Sequence, residues 1–362
     1  MRTLAAISVA LTAMASTAVA VDTGSWIDLF DGESLFGWSA LGDVQWKIDD
    51  GAIAYAEGTG GMLATTSQFS DFELTAAIRL KAGCSSGLVF RAGLDGHPSE
   101  NGSSVLWLSE RRDSESPWRE INIVARGGDV AVTVDGEAVG HSSGSRRLGH
   151  IALLYHHNNR ARVEMKDVRL RPLGLEAIFN GKDLDGWIVI PGHRSKFAVV
   201  DGAINITDGN GQIETVGLYK NFLAQLDIIS NGEHLNSGVF FRGPPGEFWK
   251  GYESQIRNQF GRGDRTRPVD FGTGGNYGNQ AARKVVSSDH EWFTKTIVAN
   301  GNHTAIWIDG YQVSDYLDTR PASRNSDGKN GYVGPAGTIH LQGHDPTTDL
   351  SFKNIYVQEY PE

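Results

Sequence analysis

The chain has 362 residues, 40% of them hydrophobic, with a formal net charge of −10 and a single cysteine, Cys84. The acidic surplus argues against a nucleic-acid backbone or an anionic membrane surface as the partner. One thiol excludes an intramolecular disulfide, so stability must rest on buried apolar surface.

Residues 1–20 combine an early Arg2, an apolar run from Leu4 to Ala15 and an Ala18-Val19-Ala20 ending. This is the pattern of a secretory signal peptide cleaved before Val21, and a secreted or periplasmic location is expected. No other stretch is long and apolar enough for a membrane span. Beyond it, Leu29-Phe-Asp-Gly-Glu-Ser-Leu-Phe-Gly-Trp38 recurs as Ile178-Phe-Asn-Gly-Lys-Asp-Leu-Asp-Gly-Trp187, an offset of 149 from Trp38 to Trp187. Ser86-Gly-Leu-Val-Phe-Arg91 likewise recurs as Ser237-Gly-Val-Phe-Phe-Arg242. A period of that size is a domain duplication, since solenoid and propeller repeats are shorter. The expected domains are residues 22–172 and 175–362. Runs such as Phe72–Leu80 and Thr304–Ile308 are rich in β-branched and aromatic residues, Asp-Gly and Asn-Gly pairs punctuate them, and the 45 glycines fit many tight turns. The class is all-β, two tandem antiparallel jelly-roll β-sandwiches.

The stretch Gly238–Asn279 holds more arginine, aromatic and amide side chains than a core requires. Strand alternation puts Phe240 with Arg242 on one face, and Glu253 with Gln255 and Arg257 on one face, opposite Val239, Phe241, Tyr252 and Ile256. In Ile339-His-Leu-Gln-Gly-His344 the same period aligns His340, Gln342 and His344. Histidine titrates near neutrality, so His344 or His340 is the candidate general base, with Glu253 to orient or assist it. Trp249 and Tyr277 are candidate stacking partners for a sugar ring, and Arg265 in the glycine-rich loop joins the binding set. His340 and His344 lie about 13 Å apart on an extended strand, too far to share one metal, and no metal or cofactor is required by any motif.

Taken together, the repeated opening motif, Asn236–Arg242, Gly251–Ile256, Glu291–Thr294 and Ile339–His344 resemble the 3-keto-disaccharide hydrolase domain family, over nearly all of residues 175–362 and more weakly over 22–172. The resemblance implies a concanavalin A-like lectin/glucanase jelly roll, an exported protein, and action on an oligosaccharide or glycoside oxidised to a ketone at C3. A 3-ketone acidifies the C2 proton and puts the C1 glycosidic oxygen β to the carbanion, so a base expels the leaving sugar by elimination. His344 is then the base, Arg242 and Gln255 donors to the enolate or hydroxyls, and Glu253 the orienting or acid group. His340, Gln342, Arg257, Trp249, Tyr277 and Arg265 would bind substrate. Many relatives carry an aspartate where this chain has Asn258. With Gln255 and Asn258 both amides, the carboxylate pair of an ordinary glycosidase is missing. A non-catalytic lectin-like module and a conventional glycosidase are the alternative readings. The first copy, with Arg91, Glu120 and His156 at the expected positions but Asn122 and Leu154 in place of Gln255 and Gln342, reads as degenerate.

Overall fold

A computed structural model describes residues 20–80, 85–109, 117–155 and 163–362. The segment up to residue 19, expected to be a signal peptide, lies outside the described residues, as do Cys84 and His156. Each half of the chain opens on the same turn, and its motif explains why. Asp31 Oδ1 accepts the backbone N–H groups of Glu33 and Ser34, and Asn180 Oδ1 accepts those of Lys182 and Asp183. Such side-chain-to-backbone turns are what Asp and Asn favour. The tryptophan closing each motif is buried and donates from Nε1 to the carbonyl nine residues earlier, Trp38 to Leu29 at 2.6 Å and Trp187 to Ile178 at 2.8 Å.

Apart from one 3-10 turn at Gly261–Gly263, the regular elements among the described residues are strands. In the first half one sheet has the order Trp38–Gly42, Gly61–Thr65, His150–Tyr155, Ser85–Ala92, Ser104–Ser109. The second half repeats it with Trp187–Val189, Gly211–Thr215, Thr338–Gly343, Ser237–Gly243 and Tyr252–Ile256. The other strands join a 16-stranded sheet. It runs through both halves because Val163–Ala177 pairs with Asp349–Glu359, Glu176 opposite Val357 and Ala177 opposite Tyr356. One core gathers Leu63, Leu88, Phe90 and Leu153 of the first small sheet with Leu74, Ile78 and Ile123 of the large one. The other gathers Ile213, Val239, Phe241 and Leu341 with Leu226, Ile297 and Phe352. Burying each such side chain contributes about 1.5–3 kcal/mol. The result is two tandem antiparallel jelly-roll β-sandwiches. No helix among the described residues is long and apolar enough to cross a membrane.

Because side chains alternate, the small sheet of the second half has a second face, and the register shows what it carries. Glu214, His340, Phe240 and Glu253 are successive cross-strand partners. The matching row of the first half is Ala64, Ala152, Val89 and Val105, apolar throughout. Gln212 pairs with Gln342 in the second half where Met62 pairs with Leu154 in the first.

The same register corrects one expectation. Glu120 and Asn122 lie on Arg119–Arg126, opposite Ala77 and Thr75 in the large sheet. Gly87 pairs with Trp107 as Gly238 pairs with Gln255, so the counterparts of Glu253 and Gln255 are Val105 and Trp107. Arg-Glu-Ile-Asn-Ile imitates Tyr-Glu-Ser-Gln-Ile in pattern, and period-two alternation cannot tell one sheet from the other.

A second correction concerns Arg242. Its φ of 58° breaks the alternation, and the pairing with Thr338–Gly343 shifts between Phe240 and Gly243, a bulge that re-aims the side chain. The guanidinium is 2% exposed and donates to the carbonyls of Lys220 (2.7 Å), Gly301 (2.7 Å) and Val333 (3.1 Å). Arg91, with φ 49°, does the same work in the first half, bonding the carbonyls of Ser70 and Gly127 and the carboxylate of Asp71. Both arginines hold the fold together, and their side chains do not share the Phe240 face.

Candidate active site

The polar face of the second sandwich deepens into a cavity of about 70 Å³ lined by Asn236, Trp249, Glu253, Gln255, Tyr277, Lys329, Gln342 and His344. Six of these were singled out from the sequence. Glu253 and Gln255 reach it from one strand, Gln342 and the residue just past the next strand, His344, from another. Glu253 lies over Gly238, where a Cβ would meet its Oε1 at 2.4 Å and its Cγ at 2.8 Å. Only glycine leaves room for the carboxyl there.

Burial pushes the Glu253 carboxyl up to about 8. Lys329 and Lys295 partly oppose this and Asp270 and Asp327 reinforce it. At neutral pH Glu253 therefore carries a proton. Lys295 reaches across the sandwich from the large sheet and donates from Nζ to the carbonyls of Ser254 and Gln255, both at 3.0 Å. Its complete burial pushes the ammonium down to about 7, against the attraction of Glu253.

His344 is held at both ring nitrogens. Nδ1 is 3.1 Å from Asp345 Oδ2, and Nε2 is 3.3 Å from Asn236 Nδ2. With the Asn236 amide donating to Nε2, the ring proton sits on Nδ1 toward the carboxylate and Nε2 is the basic nitrogen. Asp270 Oδ2 accepts from both Asn236 Nδ2 and Gln255 Nε2, each at 3.1 Å. Asp270 and Phe271 both have left-handed backbones, with φ of 50° and 67°, a cost of about 1–3 kcal/mol per residue that the loop's hydrogen bonds sustain. Among the described residues, Gln342 Oε1 and Asn236 Oδ1 are buried without a hydrogen-bond donor. Two acceptors in one small cavity suit a hydroxylated ligand.

His340 lies on the same face two residues before Gln342, fully buried. Its Nε2 is 2.5 Å from Thr338 Oγ1 and 3.4 Å from Glu214 Oε2, and burial pushes it down to about 4. It is a neutral structural ring, sealed from the cavity it was expected to serve. Its cross-strand partner Glu214 and the nearby Gln212 fix the rim instead. Glu214 accepts from Gly246 N–H and Gln212 Oε1 from Trp249 N–H at 2.8 Å, fixing the segment that presents Trp249. The Trp249 ring stacks on His344 at 6.1 Å and on Phe248 at 5.0 Å, and Phe248 stacks on His193 at 3.8 Å. Trp249 remains 39% exposed, an aromatic surface beside the imidazole.

The remaining arginines assigned to the site are elsewhere. Arg265 donates to the carbonyls of Val285, Val286 and Ser287 and lies over the Phe260 ring, and Arg257 bonds Gln259 Oε1 at 2.6 Å. Neither lines the cavity; a strand pattern that runs into an irregular loop loses its predictive period at Arg257. Asn258 is scaffolding, accepting from Thr273 and Ser287 and donating to Asp289, where an aspartate would face Asp289 with like charge. Among the described residues no group of three or more His, Cys, Asp or Glu is arranged to hold a metal ion. Four contributors were missed: Asn236, Asp270, Lys329 and Asp345. Asp345 follows His344 directly and Asn236 opens a quoted motif, so both had a signal, whereas Asp270 and Lys329 sit in irregular segments without one.

A β-sandwich whose polar face holds a small cavity with a protonated carboxyl, a carboxylate-linked imidazole and an aromatic rim fits a protein of the carbohydrate-active class. Comparison is more specific: the chain belongs to the family described as the 3-keto-alpha-glucoside-1,2-lyase-like domain, whose model matches twice, over residues 25–171 and 174–358. A 3-keto-disaccharide hydrolase of Bacteroides thetaiotaomicron is 30% identical over 105 residues, covering 26% of this chain and 36% of that protein. The match therefore spans about a third of the relative's length. Two solved structures from Parabacteroides distasonis, each named a "putative glycosyl hydrolase", have 24% and 22% identity and a TM-score of 0.40 in both cases. They match over 51% of this chain and over 93% and 84% of their own.

Proposed function

We propose that the protein is an exported enzyme that cleaves glycosides bearing a ketone at C3, by elimination followed by hydration. The observation that carries this reading is the pairing, in one cavity, of a carboxyl held protonated at neutral pH with an imidazole tied to a carboxylate through its other nitrogen. In the proposed reaction the substrate displaces the Asn236 amide from His344 Nε2, the freed lone pair takes the proton from C2, and the C–H electron pair forms the enolate with charge on the C3 oxygen. The enolate collapses to a C1–C2 double bond, the C1–O bond breaks, and the departing oxygen takes the Glu253 proton. Water then adds at C1, Glu253 recovering a proton from it while His344 returns one to C2, and both groups are reset. Gln342 Oε1 and Asn236 Oδ1 accept from sugar hydroxyls, and Trp249 stacks on a ring face. Ordinary glycoside hydrolysis is disfavoured because the segment that bears Glu253 offers amides, Gln255 on the strand and Asn258 just past its end, where a second carboxylate would be needed.

The test is to incubate the purified protein with a 3-keto-glucoside and with its unoxidised parent. Cleavage of the ketone alone is expected. Cleavage of both marks a conventional glycosidase, and binding without turnover a lectin. His344→Ala is expected to abolish turnover of the ketone, and full turnover by that variant would remove His344 as the base. Export is tested by fractionating cells that express the full chain and sequencing the mature N-terminus, which is expected at Val21.

A further inference from the structure

Deprotonation at C2 places negative charge on the C3 oxygen, and such a site needs a cation or strong donors where that charge develops. The arginines first considered for that task are committed elsewhere. Arg242 bonds three backbone carbonyls, Arg265 three more, and neither lines the cavity. Lys295 spends its ammonium on the carbonyls of Ser254 and Gln255. Among the described residues one lysine or arginine lines the cavity, Lys329.

Lys329 is placed with care by its surroundings. Its turn is held by Arg320, which donates to the carbonyls of Lys329 (2.8 Å) and Gly328 (2.6 Å). Asp327 Oδ1 accepts the Lys329 N–H at 3.0 Å, Asn279 donates to the Gly328 carbonyl, and Gly328 N–H donates to the Gly251 carbonyl. The side chain crosses Gly278, where a Cβ would meet its Cγ at 2.6 Å, and the ammonium lies 5.5 Å from the Tyr277 ring centroid. Among the described residues it forms no salt bridge. A long flexible side chain is thus pre-aimed into the cavity by a fixed backbone, with its charge unspent on a carboxylate.

From this placement we infer that Lys329 is a catalytic residue, the cation that stabilises the enolate oxygen at C3 of the substrate. The inference rests on the elimination reading above and adds to it the group that makes the C2 proton removable. In the step concerned, the C2–H bond breaks toward His344 Nε2, the C2–C3 double bond forms, and the carbonyl π pair moves to oxygen facing the Lys329 ammonium. No proton leaves the lysine, which acts by charge and hydrogen bonding alone.

The experiment separates enolate formation from bond cleavage. The 3-keto derivative of 1,5-anhydroglucitol has no aglycone at C1, only the ring oxygen, which stays tethered, so exchange of its C2 proton for solvent deuterium, followed by NMR, reports enolisation without release of a leaving sugar. Wild-type protein is expected to catalyse that exchange. Lys329→Met is expected to slow it on the order of 100-fold, with Lys329→Arg recovering part of the rate and both variants keeping the wild-type melting temperature. On a 3-keto-glucoside with a chromogenic leaving group, the Lys329→Met loss should fall on kcat. Wild-type exchange rates in Lys329→Met overturn the assignment, as does a change confined to KM, which would make Lys329 a binding group. A wild-type protein that neither exchanges nor cleaves a 3-ketone overturns the elimination reading itself, and the role of Lys329 with it.

Discussion

Replacing Glu253 with glutamine removes a titration while keeping shape and one hydrogen-bond donor, so it isolates what the buried carboxyl does. Moving a carboxyl from an ordinary 4.5 to about 8 corresponds to about 5 kcal/mol held against its ionisation. Between those values the native protein keeps a proton that the unfolded chain releases, so this group's stabilising contribution falls as pH rises through the window and is fully present only below it. Lys295 acts in the opposite sense and in another window. From about 7 up to the ordinary lysine range the native amine is neutral while the unfolded one stays charged, so stability rises with pH there. Below pH 7 the Glu253 effect therefore stands almost alone. Denaturant unfolding of wild type and Glu253→Gln at pH 5, 6 and 7 is expected to show a gap that moves in favour of the variant by roughly 2–3 kcal/mol across the series. The same substitution should abolish turnover of 3-keto-glycosides with poor leaving groups and spare those whose leaving oxygen needs no acid. Wild-type activity toward poor leaving groups should itself decline as pH rises through about 8. Parallel stability curves for the two proteins would refute the claim that Glu253 is protonated by burial.

Arg242→Met strips donors from the buried Val333 carbonyl and from the part-buried carbonyls of Lys220 and Gly301, and at about 1–3 kcal/mol for the buried group and about 0.5–1.5 kcal/mol for each of the others should cost roughly 2–6 kcal/mol in chemical denaturation, with kcat unchanged in the molecules that remain folded. Asp345→Asn keeps a group beside His344 but loses the charge that fixes the Nδ1 proton, so kcat should fall about 10- to 100-fold with KM little altered, in steady-state assays on the 3-ketone. Trp249→Ala removes the exposed ring and should raise KM by roughly 3- to 10-fold, the equivalent of a stacking contact of about 0.5–1.5 kcal/mol, measured on the same substrate.

What the sequence made legible follows from what a strand period can encode. Glu253 with Gln255, and Gln342 with His344, were readable as cavity residues because alternation puts every second side chain on one face and the opposite set, Val239, Phe241, Tyr252 and Ile256, was apolar enough to name the core. His340 obeyed the same period and was still misread, since the period assigns a face and not a depth, and the Gly246–Trp249 segment that covers that row is fixed only in three dimensions. Arg242 failed for a sharper reason: one residue with positive φ resets the alternation, and no neighbouring residue type announced it. Lys329 and Asp270 reach the cavity from irregular backbone, where spacing along the chain says nothing about proximity.

The duplication bears on why the first sandwich persists with an apolar face where the second is polar. Leu223, Val298, Ala305, Trp307 and Tyr360 of the second half are buried in the core of the first, so the two halves share interior and not only a sheet edge. Polar contacts run the same way: Gln358 Nε2 donates to the carbonyls of Asp71 and Leu173, and Arg283 bonds Asp31 and Ser34 in the turn that opens the first copy. Thr66 of the first copy donates to Asp315, whose N–H donates to Gln280 Oε1 and whose carbonyl accepts from Gln280 Nε2. Gln280 in turn is paired with Asn276, one residue before Tyr277 of the cavity wall. The first copy thus buttresses the far end of the segment that supplies Asp270 and Tyr277 to the site, a role that constrains its core and its opening turn and asks no polar side chain of the row Ala64, Ala152, Val89 and Val105.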